Sequence, residues 1–206
     1  MRKFRFIFII LIIFISYPVL SQDDELDLLF IGNSLTYTND LPELVEKTAK
    51  AQGLEVRSKM IAKPNYALLD HWNEGKVQKM IKNRNFDLVI IQQGPSSQDF
   101  GKDILIEYGK KLKDLCSENN AKLAYFMVWP SREYYHTFKG VIKNHKEAAE
   151  INQAMLFPVG EVWKKHFDNT GNFDYYGPDQ FHPSEKGSQI AAEIIVEGLQ
   201  KMKTDQ

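Results

Sequence analysis

Asp27-Leu28-Leu29-Phe30-Ile31-Gly32-Asn33-Ser34 and Asp87-Leu88-Val89-Ile90-Ile91-Gln92-Gln93-Gly94 decide the fold. Each stretch starts on an acidic residue, runs through four apolar residues without alternation and ends in a polar segment containing glycine. A strand that is apolar at every position is covered on both faces, which is the condition of a central parallel strand. Outward from these two, residues 54–61 and 122–128 read as further strands, and 155–159 as a weaker fifth. Helical spacing fills the gaps at 40–52, 68–82, 103–118, 141–154 and, last, about 184–201. The first of these carries Leu41, Leu44, Val45, Thr48 and Ala49 on one face, with Pro42 in its first turn and Gly53 past its end. The last turns Ile190, Ala191, Ile194, Ile195 and Leu199 inward. Strand and helix in strict alternation predict one three-layer α/β/α domain with about five parallel strands. Ligands of such sheets bind beyond the carboxyl ends of the strands.

The N-terminus reads as an export signal. Arg2, Lys3 and Arg5 precede an unbroken apolar run from Phe6 to Ile15, Pro18 interrupts it, and Val19-Leu20-Ser21 offers small residues for cleavage. The apolar run is shorter than the roughly 18 to 20 residues that span a bilayer, so residues 1–21 are expected to be removed, leaving no stable membrane anchor. Residues 22–206 then form the domain, in the periplasm or outside the cell. The full chain has a formal net charge of −1, and loss of a leader with three basic residues makes it more acidic. That balance argues against nucleic acid as a partner. Cys116 is the only cysteine, so the core must hold the fold without a disulfide. Its spacing from Leu112 and Leu115 predicts a buried thiol.

Ser34 stands at the carboxyl end of a central strand, where an exposed nucleophile would stand. A plain turn with Thr36, Thr38 or Asn39 as a helix cap would read the same way. Near the C-terminus, Gly177-Pro178-Asp179-Gln180-Phe181-His182-Pro183-Ser184 leads into the last helix. Serine needs a base, and the imidazolium so formed needs a carboxylate. Asp179 and His182 can pair across a turn and leave one ring nitrogen for Ser34, while Pro183 and Ser184 start the helix.

Together, Gly32-Asn33-Ser34-Leu35 and Asp179-x-x-His182-Pro183 resemble the GDSL-type SGNH hydrolases, and the strand–helix order between them fits. The resemblance implies a flavodoxin-like sheet, ester hydrolysis through an acyl-enzyme on Ser34, His182 and Asp179, and no metal or other cofactor. Two departures stand out. Asn33 occupies the Asp of the GDSL signature. The family also takes oxyanion donors from the nucleophile's N–H, a Gly N–H in the second block and an Asn side chain in the third. Here the second block has Lys63-Pro64-Asn65-Tyr66 and no Gly, which makes Asn65 the candidate, by backbone or side chain, because Pro64 has no N–H. In the third block Gly94 matches the Gly, but Ser96 stands in the Asn position, so Ser96, Gln92 or Gln93 must donate beside the N–H of Ser34.

His71, His136, His145 and His166 share no ligand spacing, and no paired cysteines or His-Glu-x-x-His motif exists, so no metal is expected. Tyr37, Tyr66, Trp129, Tyr134, Tyr135, Phe173, Tyr175, Tyr176 and Phe181 fall on or near loops, where they either stack on sugar rings or pack the sheet edge. The expected substrate is a small acyl ester, acetyl above all, on a carbohydrate. The rival readings are a lipid-ester or thioester hydrolase and a glycan-binding relative with little turnover.

Overall fold

Leu28 and Phe30 enter one hydrophobic core while Leu29 and Ile31 enter another, and all four are fully buried. Successive side chains of a strand point to opposite faces, so the unbroken apolar run follows from a sheet with helices on both sides. The computed structural model describes residues 25–204; the leader read at 1–21 lies outside them. The strands are β1 (Leu26–Gly32), β2 (Val56–Ala62), β3 (Leu88–Ile91), β4 (Lys122–Phe126) and β5 (Met155–Phe157). All pair in parallel, in the order β2-β1-β3-β4-β5. β2 lies at an edge, which is why Arg57, Lys59 and Met60 are exposed there.

The helices are α1 (Ser34–Tyr37), α2 (Leu41–Ala51), α3 (Leu68–Glu74), α4 (Lys76–Asn83), α5 (Asp99–Glu118), α6 (Phe138–Ile151), α7 (Val159–Thr170) and α8 (Glu185–Thr204). One core sets Val45 of α2, Trp163 and Phe167 of α7, and Ile195 and Leu199 of α8 against the sheet. The other uses Leu68 of α3, Val77 and Ile81 of α4, and Leu105, Leu112 and Cys116 of α5. Cys116 is sealed, and burial pushes its thiol up to about 12, as its apolar neighbours predicted. No helix among the described residues is long and apolar enough to cross a membrane.

Beyond shifts of a few residues at element ends, three features differ from the sequence pattern. The helix expected at 68–82 is two helices, because Gly75 adopts φ 78°, closes α3 by donating to the Trp72 carbonyl and reopens the chain as α4. The fifth strand ends at Phe157, and the helix that follows Pro158 was not anticipated. Its signal was present in Val159, Trp163 and Phe167, four residues apart and all buried. A one-turn helix also begins at Ser34 itself.

The chain leaves β1 toward β2 on one side and returns to β3 on the other. The carboxyl ends of β1 and β3 therefore border the crevice where open α/β sheets bind ligands. Ser34 follows β1 and Gln92-Gln93 follow β3, so this topology brings the first and third blocks together.

Candidate active site

The turn that carries Ser34 is held from several directions. Asn33 is extended and its Oδ1 accepts the N–H of Leu35 at 3.1 Å, which caps α1. Gln92 Oε1 accepts the N–H of Asn33 at 2.8 Å and the hydroxyl of Thr36 at 2.9 Å, one contact on each side of Ser34. The Gly32 carbonyl accepts from the Lys63 N–H at 3.2 Å and from His71 Nε2 at 2.8 Å. A Cβ at position 32 would lie 2.3 Å from Thr36 Oγ1 and 2.5 Å from Gln92 Oε1, so only glycine fits. Because a carbonyl only accepts, His71 carries its proton on Nε2. Burial lowers the pKa of His71 against the opposing effect of that hydrogen bond, and the ring stays neutral. Ser34 is half-buried, and neither its N–H nor its Oγ is hydrogen-bonded among the described residues.

The second half of the site is the loop before α8. Asp179 Oδ1 accepts the N–H groups of Phe181 at 3.0 Å and His182 at 2.9 Å, and Oδ2 meets His182 Nδ1 at 2.5 Å. Slight burial pushes the Asp179 carboxyl up. The His182 ring and the two N–H donors outweigh it and hold the carboxyl below its ordinary value. Nδ1 is thereby committed to the carboxylate, and Nε2 has no hydrogen-bond partner among the described residues. The loop is pinned by Trp129 Nε1 donating to the Phe181 carbonyl at 2.9 Å and by Gly177 N–H donating to the His182 carbonyl at 2.7 Å. Trp129 is itself clamped by stacking on Trp163, with ring centroids 3.5 Å apart. Ser184 Oγ accepts the Gly187 N–H at 3.0 Å, so Ser184 caps α8 and Pro183 stands just before the cap.

Asn39 joins the two halves. Its Nδ2 donates to the Pro183 carbonyl at 3.1 Å and to Ser188 Oγ at 2.9 Å, tying the segment after α1 to the residue next to His182. Sequence reasoning offered Asn39 as a helix cap; its φ of 56° and these two bonds give it a bridging job instead. No direct bond joins Ser34 Oγ to His182 Nε2.

The candidate donors differ in their surroundings. Asn65 is exposed in the Lys63–Tyr66 turn with φ 60°, and donates no hydrogen bond among the described residues. Gln93 Oε1 accepts the Leu68 N–H at 2.8 Å. Gln92 Nε2 is sealed in the interior without a partner. The Ser96 hydroxyl donates to the Gly94 carbonyl at 2.8 Å, while the Ser96 carbonyl accepts from Asn144.

Beside these loops lies an open groove of about 660 Å³, whose lining includes Pro95 and Ser97, Pro130 and Ser131, Tyr134 and Phe181. No Asp, Glu, Lys or Arg lines it. Of the loop aromatics, Trp129, Tyr175 and Tyr176 are buried, and Tyr135 and Phe173 pack on Phe167. Tyr134 stays 55% exposed in the groove. Among the described residues no cluster of His, Cys, Asp and Glu could hold a metal.

No family model matches the sequence, and no curated protein matches it either. Solved structures do. A Slackia heliotrinireducens protein assigned to the SGNH hydrolases superposes with a TM-score of 0.72 at 21% identity, covering 85% of this chain and 100% of that one. The lipase/acylhydrolase from Enterococcus faecalis gives 0.68 at 16% identity, covering 86% and 96%. The acetyl xylan esterase AlAXEase gives 0.68 at 13% identity, covering 84% and 100%. At these identities what is shared is the architecture, and the chain has the α/β/α fold of the SGNH hydrolases.

Proposed function

We propose that the protein is an exported serine ester hydrolase that removes small acyl groups, acetyl above all, from a neutral carbohydrate. The observation that carries this reading is the His182 ring, committed to Asp179 through Nδ1 on a loop that Asn39 ties to the turn of Ser34, with Nε2 and Ser34 Oγ both unpaired. In the reaction His182 Nε2 takes the hydroxyl proton as Ser34 Oγ attacks the ester carbonyl, and Asp179 stabilises the imidazolium. The N–H of Ser34, Asn65 and a side chain from the third block donate to the tetrahedral oxyanion. His182 returns the proton to the leaving alcohol, and water clears the acyl-enzyme by the same steps.

Two features support the substrate class. The groove beside Phe181 offers hydroxyls, an exposed tyrosine ring and His136, with no carboxylate, lysine or arginine in its lining, which suits a hydroxyl-rich sugar. One protein of the same fold is an acetyl xylan esterase. Export rests on the leader pattern of residues 1–21.

The test compares residues 22–206 with Ser34→Ala on p-nitrophenyl acetate and on acetylated xylo-oligosaccharides, together with labelling by a fluorophosphonate. Turnover and labelling that both vanish in Ser34→Ala are expected. A folded wild-type chain that neither turns over nor labels would sink the reading and leave a glycan-binding relative.

A further inference from the structure

We infer that the two adjacent glutamines after β3 divide the work at Ser34: Gln93 Nε2 is the side-chain donor to the oxyanion, and Gln92 is a positioning residue that holds the nucleophile's turn. The inference rests on the ester-hydrolase reading above.

Three side chains follow β3 as candidates, and two are otherwise engaged. Gln92 is 1% exposed, and the oxygen end of its amide must face the two donors it receives, the Asn33 N–H and the Thr36 hydroxyl. Its Nε2 is therefore turned into the interior, where it is sealed and no substrate oxygen reaches it. Ser96 holds the position of the expected Asn but is 2% exposed, and its one hydroxyl proton goes to the Gly94 carbonyl.

Gln93 is also buried, at 7% exposed, but only the oxygen end of its amide is engaged. Its Oε1 is fixed by the Leu68 N–H, which turns Nε2 away from α3. Nε2 has no partner among the described residues, and it is not among the sealed polar atoms. β1 and β3 pair in parallel as far as Ile31 and Ile91, and the Gln92 N–H still donates to the Ile31 carbonyl, so Gln93 leaves the sheet beside the end of β1 that leads into Ser34. A donor whose acceptor end is already bonded does not reorganise when charge develops, which is what an oxyanion site requires. A long side chain three residues before the family's Asn position thus replaces that Asn.

The test is Gln93→Glu, which keeps an acceptor for the Leu68 N–H and replaces the donor by oxygen, beside Gln93→Met, which removes both without adding charge. Both variants are expected to lose about 100- to 1000-fold in kcat on p-nitrophenyl acetate with little change in KM. Affinity for phenylboronic acid, whose adduct on Ser34 mimics the tetrahedral intermediate, should fall in parallel. Gln92→Leu, which removes the acceptor of the Asn33 N–H and the Thr36 hydroxyl, should lower the unfolding midpoint. If Gln93→Glu does not fold, Gln93→Met carries the comparison. An active wild type whose Gln93 variants keep kcat and boronate affinity overturns the assignment alone, as does a loss confined to KM or to the unfolding midpoint. A wild type without Ser34-dependent activity overturns the assignment together with the ester-hydrolase reading.

Discussion

Asn33 Nδ2 donates to the carbonyl of Tyr66 at 3.0 Å while Asn33 Oδ1 caps α1 through the Leu35 N–H. One amide thus joins the turn of Ser34 to the turn that presents Asn65. An aspartate, the residue of the GDSL signature, could make only the cap, and it would set a carboxylate oxygen against the Tyr66 carbonyl. The departure at position 33 therefore has a partner in the second block, which itself lacks the family's glycine. Asn33→Asp is expected to destabilise the fold by about 1–3 kcal/mol, the cost of leaving a buried acceptor facing another acceptor. Urea unfolding at pH 7 measures it, and an unchanged midpoint would show that the Tyr66 contact contributes nothing.

The sheet was legible because burial on both faces leaves a sequence mark: apolar residues at every position of 28–31 and 88–91. Ser34, Asp179 and His182 were read from residue type and spacing together with the family resemblance, and of these the structure pairs Asp179 with His182 on the loop before α8. The supports around them were not. Gln92 and Asn39 act through side-chain contacts with residues 56 or more positions away, and a polar residue beyond a strand end looks the same whether it binds solvent or a backbone N–H. His71 is the same case: its bond to the Gly32 carbonyl spans from α3 to the end of β1 and has no local signature. The missed α7 had a different cause. Its first apolar residue directly follows Pro158 and merged with the short fifth strand into one run.

Asp179 is half-exposed, yet it accepts three hydrogen bonds that orient His182. Asp179→Asn keeps an oxygen for the two backbone donors, but the amide end then faces His182 Nδ1 and favours the wrong ring tautomer. kcat should fall by about 10²- to 10⁴-fold, the upper limit being that of a fully buried triad aspartate. Fluorophosphonate labelling should slow in parallel, and a variant that labels at the wild-type rate would remove Asp179 from the mechanism.

Tyr134 is the exposed ring of the groove, edge-on to His136 with centroids 6.3 Å apart. Stacking of a sugar on such a ring contributes about 0.5–1.5 kcal/mol, so Tyr134→Ala should raise KM for an acetylated oligosaccharide about 2- to 10-fold. p-Nitrophenyl acetate does not fill the groove, and its kinetics should stay as they are. Equal losses on both substrates would mean that the ring supports the catalytic loops rather than binding sugar.

His145 gives the fold an acid limit unrelated to catalysis. It is fully buried in α6, donates through Nδ1 to the Val141 carbonyl at 2.8 Å, and has a sealed Nε2 without a partner. Burial lowers its pKa from 6.5 to about 4, the backbone bond opposing only in part. The unfolded chain therefore takes up a proton that the folded chain refuses. The neutral ring's contribution is complete above about pH 6.5, declines as pH falls, and is lost by about pH 4. The span corresponds to roughly 3 kcal/mol. His71, also lowered by burial, adds to the same limb. The carboxyls of Asp27, Asp174 and Asp179 are held below the ordinary carboxylate value, so their contributions disappear only at lower pH. His145→Leu, which leaves the Val141 carbonyl its helical N–H donor and removes the unpaired Nε2, should thus lose distinctly less stability than wild type on going from pH 7 to pH 4.5. Urea unfolding of both proteins at the two pH values measures the difference, and equal slopes would exclude His145 as a source of the acid sensitivity.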